Sequence, residues 1–345
     1  MLLVCTVPHL DAERQLSYNL SMKTIIKKIV LSVLFGCILC GFLFAKGNNE
    51  NTKALTIYGF RGPTGVGMIR LFDDPPQIPG YSVKMEALAQ HDQMAARLIS
   101  GEAKVGVLPP DVAAKLASTG KDVRVAAIIG MGMLSLLSSD PAVRSLDDLK
   151  DRTVQVPAQG AVPDYVFRRI LEARGLKPDH DVKLDFSLAY PEIAQSLIAG
   201  RISVGLMLEP FATMARLGRQ DLHSVADVQE EWIRIAGGEN FPLTAIVVDG
   251  AFADANPQAV AAILDAVKNS IEWVQAHPAE AGALVEKHDL GLRAAVVTAA
   301  VPNCGYVFIP AEQGRSSLEA LYRAFLEYNP VSIGGALPAD GFYLK

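Results

Sequence analysis

An internal repeat constrains the fold more than any other feature of the chain. Leu98-Ile99-Ser100-Gly101, followed by Val105-Gly106-Val107-Leu108, recurs 99 residues later as Leu197-Ile198-Ala199-Gly200 followed by Val204-Gly205-Leu206-Met207. Each copy reads as a helix end, a glycine stop, a buried strand and a loop. The loops, Pro109-Pro110-Asp111 and Leu208-Glu209-Pro210, each lead into an alanine-rich helix. A second echo has an offset of about 97: Leu55-Thr56-Ile57-Tyr58-Gly59 against Arg152-Thr153-Val154-Gln155-Val156, each followed by a glycine-containing turn and a helix. Short β-branched runs alternating with amphipathic stretches signal an α/β fold with mostly parallel sheet. The repeat predicts two related lobes of that kind. In open α/β sheets the ligand crevice lies beyond the carboxyl ends of the strands. Four loops would therefore line one cleft, at residues 60–67, 108–111, 157–164 and 207–211.

Length and charge agree with this reading. The 345 residues are enough for two domains with real cores, and 32 basic against 37 acidic side chains leave a net charge of −5. No excess of cations is available to neutralise a phosphate backbone, so nucleic acid is not an expected partner. The N-terminal residues 1–45 read as an envelope-targeting leader. Residues 29–45 (IVLSVLFGCILCGFLFA) are an apolar run behind Lys23, Lys27 and Lys28, in the order of a secretory signal and short for a membrane span. Met22 opens a better signal than Met1, because Asp11 and Glu13 precede the run. Cleavage after Ala45, lipidation of Cys37 in Leu34-Phe35-Gly36-Cys37, and an uncleaved anchor all remain open. Residues 46–53 read as a polar tether. Three of the four cysteines fall in the leader, and Cys304 is left alone as a small buried hydrophobe.

The loops offer donors and rings. Gly62-Pro63-Thr64-Gly65-Val66-Gly67 follows a strand and opens a helix, so its backbone N–H groups can face a polar ligand group, or the glycines can simply make a tight turn. Met68 and Ile69 stand where a P-loop needs Lys and Ser/Thr, which excludes nucleotide hydrolysis there. Gln159 precedes a helix entrance at Gly160-Ala161-Val162-Pro163 and suits either a ligand contact or a cap. Glu209 ends a buried strand and needs a partner, a ligand N–H or a structural Arg; ligand contact is the preferred expectation. Phe60, Tyr190, Phe211 and Trp232 can supply faces for a flat ligand, with Met131 and Met133 as adaptable filler. No G-x-S-x-G elbow, H-E-x-x-H or paired cysteines appear, and the histidines lack metal-ligand spacing. No enzyme activity, metal or cofactor is expected.

Several segments in order resemble a known family: residues 96–110 with Leu-Ile-Ser-Gly and Val-Leu-Pro-Pro, residues 148–160 (DLKDRTVQVPAQG), residues 200–211 with Glu-Pro-Phe, and residues 332–343. Together they are similar to the nitrate/sulfonate/taurine and thiamine-precursor group of ABC-importer substrate-binding proteins, over about residues 54–345. The resemblance implies a type II periplasmic-binding-protein fold, with lobe 1 from residues 54–138 plus 246–345, lobe 2 from residues 139–245, and two crossing strands as hinge. It points at Arg61, Pro63, Thr64, Pro109, Pro110, Gln159, Gly160 and Glu209 for the ligand. It further implies a periplasmic or envelope-anchored monomer that delivers a small solute to an ABC permease and its ATPase. Glu209 and the apolar content lean towards a neutral or amine-bearing heterocycle, whereas Arg61 keeps a sulfonate-like ligand open. The same fold serves enzymes of thiamine-pyrimidine and menaquinone biosynthesis, and a solute-sensor role is the other alternative.

Overall fold

The computed structural model describes residues 52–345. The leader, Met22 and Cys37 lie outside the described residues. Lys53, expected in the tether, already pairs with Tyr81 as the first residue of a strand.

The strands follow the apolar runs. The first lobe begins with β1 (Lys53–Phe60), β2 (Tyr81–Leu88), β3 (Val105–Leu108) and β4 (Val123–Met131). The second lobe is built on β5 (Leu134–Ser138), β6 (Arg152–Gln155), β7 (Val182–Asp185), β8 (Val204–Leu208) and β9 (His223–Asp227). The chain then returns to the first lobe with β10 (Pro242–Asp249) and β11 (Tyr306–Pro310). β3 is buried at all four positions and β4 at eight of nine, the continuous pattern of strands covered by helices on both faces. The helices that matter for the site are α1 (Pro63–Gly67), α2 (His91–Ser100), α3 (Pro110–Ser118), α4 (Val162–Ala173), α5 (Tyr190–Ile198), α6 (Phe211–Gly218), α7 (Val228–Ile235), α8 (Ala294–Ala300) and α9 (Arg315–Tyr328).

The strands form a six-stranded sheet ordered β11-β4-β10-β3-β1-β2 and a five-stranded sheet ordered β7-β6-β8-β5-β9. From β2 and from β7 inwards the orders are the same: two parallel neighbours around β1 or β6, then an antiparallel strand beside β3 or β8. That antiparallel strand, β10 in one sheet and β5 in the other, has in each case just crossed from the other lobe. The 99-residue echo is therefore structural, since Val105–Leu108 is β3 and Val204–Leu208 is β8. Its central glycines have one job. A Cβ at Gly106 would lie 2.1 Å from Met94 Cε of α2, and one at Gly205 2.9 Å from Ile193 Cγ2 of α5, so each lets the preceding helix seat closely on its strand.

This is the type II periplasmic-binding-protein architecture, with two α/β lobes and a two-strand hinge. The outward crossing is short: β4 ends at Met131, β5 starts at Leu134, and both Gly132 (φ 65°) and Met133 (φ 68°) are left-handed. The sheets place the changeover a few residues ahead of the boundaries expected at 138 and 245, because β5 bonds within the second sheet and all of β10 within the first. A Cβ on Gly132 would meet Gln229 Cγ at 2.2 Å, and the Gln229 amide oxygen accepts the Leu134 N–H at 3.0 Å. Gly132→Ala should therefore cost about 1 kcal/mol in chemical denaturation, from the strained φ and displacement of this clamp.

Candidate functional site

The four loops expected to line a cleft lie at the carboxyl ends of β1, β3, β6 and β8. Two linked groups of contacts organise them.

The first group joins the β1 and β8 loops through the hinge. Pro63 is the first residue of α1, and its carbonyl accepts the Tyr306 hydroxyl at 2.8 Å. Next to Tyr306, the Gly305 carbonyl accepts the Met131 N–H at 2.9 Å, and the Met133 carbonyl accepts the Glu209 N–H at 2.9 Å. Pro63, Met131 and Glu209 are thus linked through the hinge, and Met131 is buried. The glycines of the β1 loop serve packing: a Cβ on Gly65 would lie 2.3 Å from the Phe60 carbonyl oxygen. That favours the tight-turn reading of Gly62 to Gly67. Thr64 is half-buried beside it, and Arg61 is exposed, 3.7 Å from the Asp289 carboxylate. Phe60 is buried and meets the His91 ring edge-on at 4.6 Å, where burial holds the imidazole pKa below its usual value.

The second group holds the β3 and β6 loops, each by its own contacts. Pro109 caps α3 and is half-buried, while the carbonyl of buried Pro110 accepts the Tyr322 hydroxyl at 3.1 Å. Across in the second lobe, Gly160 is left-handed (φ 77°) and donates its N–H to Asp164 Oδ2 at 2.8 Å. Asp164 in turn accepts from Arg168 at 2.6 Å. Asp164, not Gln159, is thereby the group that fixes this helix entrance. The Gln159 side chain is exposed and has no hydrogen-bond partner among the described residues.

Three groups of expected site residues make contacts within the chain. Glu209 is 2% exposed and already paired: Oε2 accepts the Thr213 N–H at 3.0 Å and Oε1 accepts Arg216 Nη1 at 3.1 Å. Of its two possible partners, the structural Arg is the one present, two helical turns further along α6. Trp232 is 1% exposed and packs edge-on against Phe241 at 5.9 Å, so it belongs to the core beneath the hinge. Tyr190 and Phe211 stack on each other at 6.1 Å with an interplanar angle of 10°, so each spends one ring face on the other. Removing the guanidinium in Arg216→Ala should cost about 1.5 kcal/mol, because it strands a buried acceptor, and should exceed the cost of Glu209→Gln in the same urea titration.

The sequence reading missed Asp111 and Tyr306. Asp111 lies in the first turn of α3, is 8% exposed, and its Oδ1 has no partner; burial pushes its carboxyl up to about 6. Its place directly after Pro109-Pro110 at the end of a buried strand was visible in the sequence. Nothing marks Tyr306 in advance. A cavity of about 1050 Å³ lies elsewhere, under the C-terminal segment, lined by Ser118, Lys121, Arg124, Asp254, Leu337 and Tyr343 and by none of the expected site residues. Among the described residues no group of three or more His, Cys, Asp or Glu could hold a metal ion, and no helix is long and apolar enough to cross a membrane.

Paired sheets of one strand order and exchanged crossing strands define a two-lobed protein with the periplasmic-binding-protein fold. The model of the NMT1/THI5-like family matches residues 79–281, more than half of the chain, and the chain belongs to that family. No curated protein matches it. Among solved structures, an ABC transporter protein from Parabacteroides distasonis is 23% identical with a TM-score of 0.72, the match covering 85% of this chain and 99% of that one. The periplasmic aliphatic sulphonate binding protein SsuA from Escherichia coli is 16% identical with a TM-score of 0.64, covering 83% and 92%. The periplasmic nitrate-binding protein NrtA from Synechocystis is 12% identical with a TM-score of 0.59, covering 84% and 83%. These likenesses carry the fold.

Proposed function

We propose that this chain is an exported solute-binding protein, without enzyme activity, that captures a small organic molecule between its two lobes and delivers it to an ABC permease driven by an ATPase. The observation that carries the reading is the reciprocal strand exchange, which joins two sheets through a crossing as short as Gly132-Met133. The lobes are those built on the two sheets, and the chain acts as a monomer, held at the envelope by its leader or by a lipid on Cys37. Arg61, Thr64, Pro109, Gln159 and Gly160 are the groups offered to the solute, with Pro63, Met131 and Glu209 holding the loops in place. Because Glu209 is neutralised by Arg216, it no longer argues for an amine on the ligand, and Arg61 and Gln159 fit a sulfonate as well as a heterocycle. The test is native mass spectrometry of protein purified without denaturation, followed by thermal-shift screening of sulfonates, pyrimidines and related metabolites. A co-purifying or stabilising solute, lost in Gln159→Ala, is expected. No bound or stabilising solute across the screen would refute the proposal.

A further inference from the structure

We propose that α9, near the C-terminus, is a latch: a third, non-covalent bridge that holds the two lobes together at the edge of the cleft and releases when they part. This rests on the reading of two lobes that close on a solute. The helix runs past both halves of the candidate site. At its start, Ser317 Oγ donates to Glu239 Oε2 at 2.5 Å, and Glu239 lies in the return crossing between α7 and β10. At its middle, Tyr322 bonds the Pro110 carbonyl in the first lobe. At its end it leaves its own lobe and engages α4 of the second. Tyr328 stacks on Tyr165 at 5.3 Å and 9°, and Phe325 meets the same ring edge-on at 4.8 Å. The Tyr328 hydroxyl donates to Glu172 Oε2 at 2.6 Å, and Arg169 pairs with Glu327.

Two facts place this seam at the cleft and make it releasable. Tyr165 stands in the opening turns of α4, and its hydroxyl would be 3.7 Å from a Cβ on Gly160, so the seam touches the β6 loop itself. The Arg169–Glu327 and Tyr328–Glu172 contacts join partly exposed side chains that water can resolvate. The aromatic contacts are three rings, with Phe325 and Tyr165 buried and Tyr328 half-buried at the rim. Such a contact shifts the balance between open and closed lobes without locking it.

The test is a pulsed electron spin-resonance distance between labels at Gln90→Cys and Ser187→Cys, exposed positions beside the loops after β2 and β7. The full chain is used, with Cys5, Cys37 and Cys40 as serine. Cys304 stays, since it is buried and desolvation pushes its thiol up to about 12, out of reach of the label. Against this parent, Glu327→Ala/Tyr328→Ala is expected to deplete the short-distance population at least fivefold. The exposed single change Glu327→Ala, which carries no folding risk, is expected to deplete it about twofold, and Tyr328→Phe, which keeps the stack, less than the double variant. Identical distributions in parent and double variant, or a shift to shorter distances, would overturn the latch. Solute-dependent compaction of the parent is a separate readout, so failure of the latch and failure of the solute-binding reading are told apart.

Discussion

Gly305→Ala is expected to be the most damaging glycine-to-alanine change among the described residues, costing about 3 kcal/mol in urea unfolding. A Cβ at that position would sit 1.9 Å from the Met131 carbonyl oxygen and 3.1 Å from its carbon. Both are backbone atoms, so no side-chain rotation relieves the clash. The same two residues are tied by the Met131 N–H to Gly305 carbonyl bond at 2.9 Å, so retreat of either strand breaks the first sheet where the hinge begins. The damage should extend to the site, because Tyr306 next door holds the Pro63 carbonyl. An unfolding midpoint unchanged from wild type would show that the β11 edge is not tied to the hinge in solution.

Asp111→Asn should act in the opposite direction and stabilise the protein at neutral pH. The carboxyl is buried, one oxygen has no partner, and no ion pair reaches it among the described residues. Desolvation raises its pKa from 3.8 to about 6, against the weaker pull of backbone N–H groups at the start of α3. A group whose folded pKa is raised contributes stability below its unfolded pKa and loses it as pH climbs through the folded value. Relative to the variant, the wild type should therefore weaken between about pH 4 and pH 6 and lag by about 3 kcal/mol at pH 7.5. Other carboxyls, Asp249 and Asp185 among them, are held below their usual value, so the difference between the two proteins is the quantity to measure. Equal stability at pH 4 and pH 7.5 would show that Asp111 has a partner in solution.

What could be read from the sequence follows from how local each signal is. The paired Val-Gly-Val-Leu and Val-Gly-Leu-Met strands were legible because a strand covered on both faces must be continuously apolar, and the glycine within it marks a close helix. The lobes follow from their repetition. The interleaving came from family resemblance alone, since β10 carries no mark of the sheet it joins. At the site, helix entrances were legible: the turn from Gly62 to Gly67, the Pro109-Pro110-Asp111 loop and the Gly160-to-Pro163 segment each open a helix. Pairing across sequence distance was not. Arg216 is seven residues from Glu209, and only the loop geometry brings it back to that carboxylate. Tyr165 and Tyr328 meet across 163 positions, and neither ring looks different in sequence from a core aromatic. Trp232 shows the converse: a ring offered as a ligand face is a core ring under the hinge, set there by packing that composition does not encode.

The central claim is that the two lobes close on a solute, and the most direct measurement is small-angle X-ray scattering of the purified protein with and without each compound that raises its melting temperature. The radius of gyration should fall on binding, and the fall should track occupancy. A compound bound at saturation with no change in the radius of gyration would contradict capture by closure.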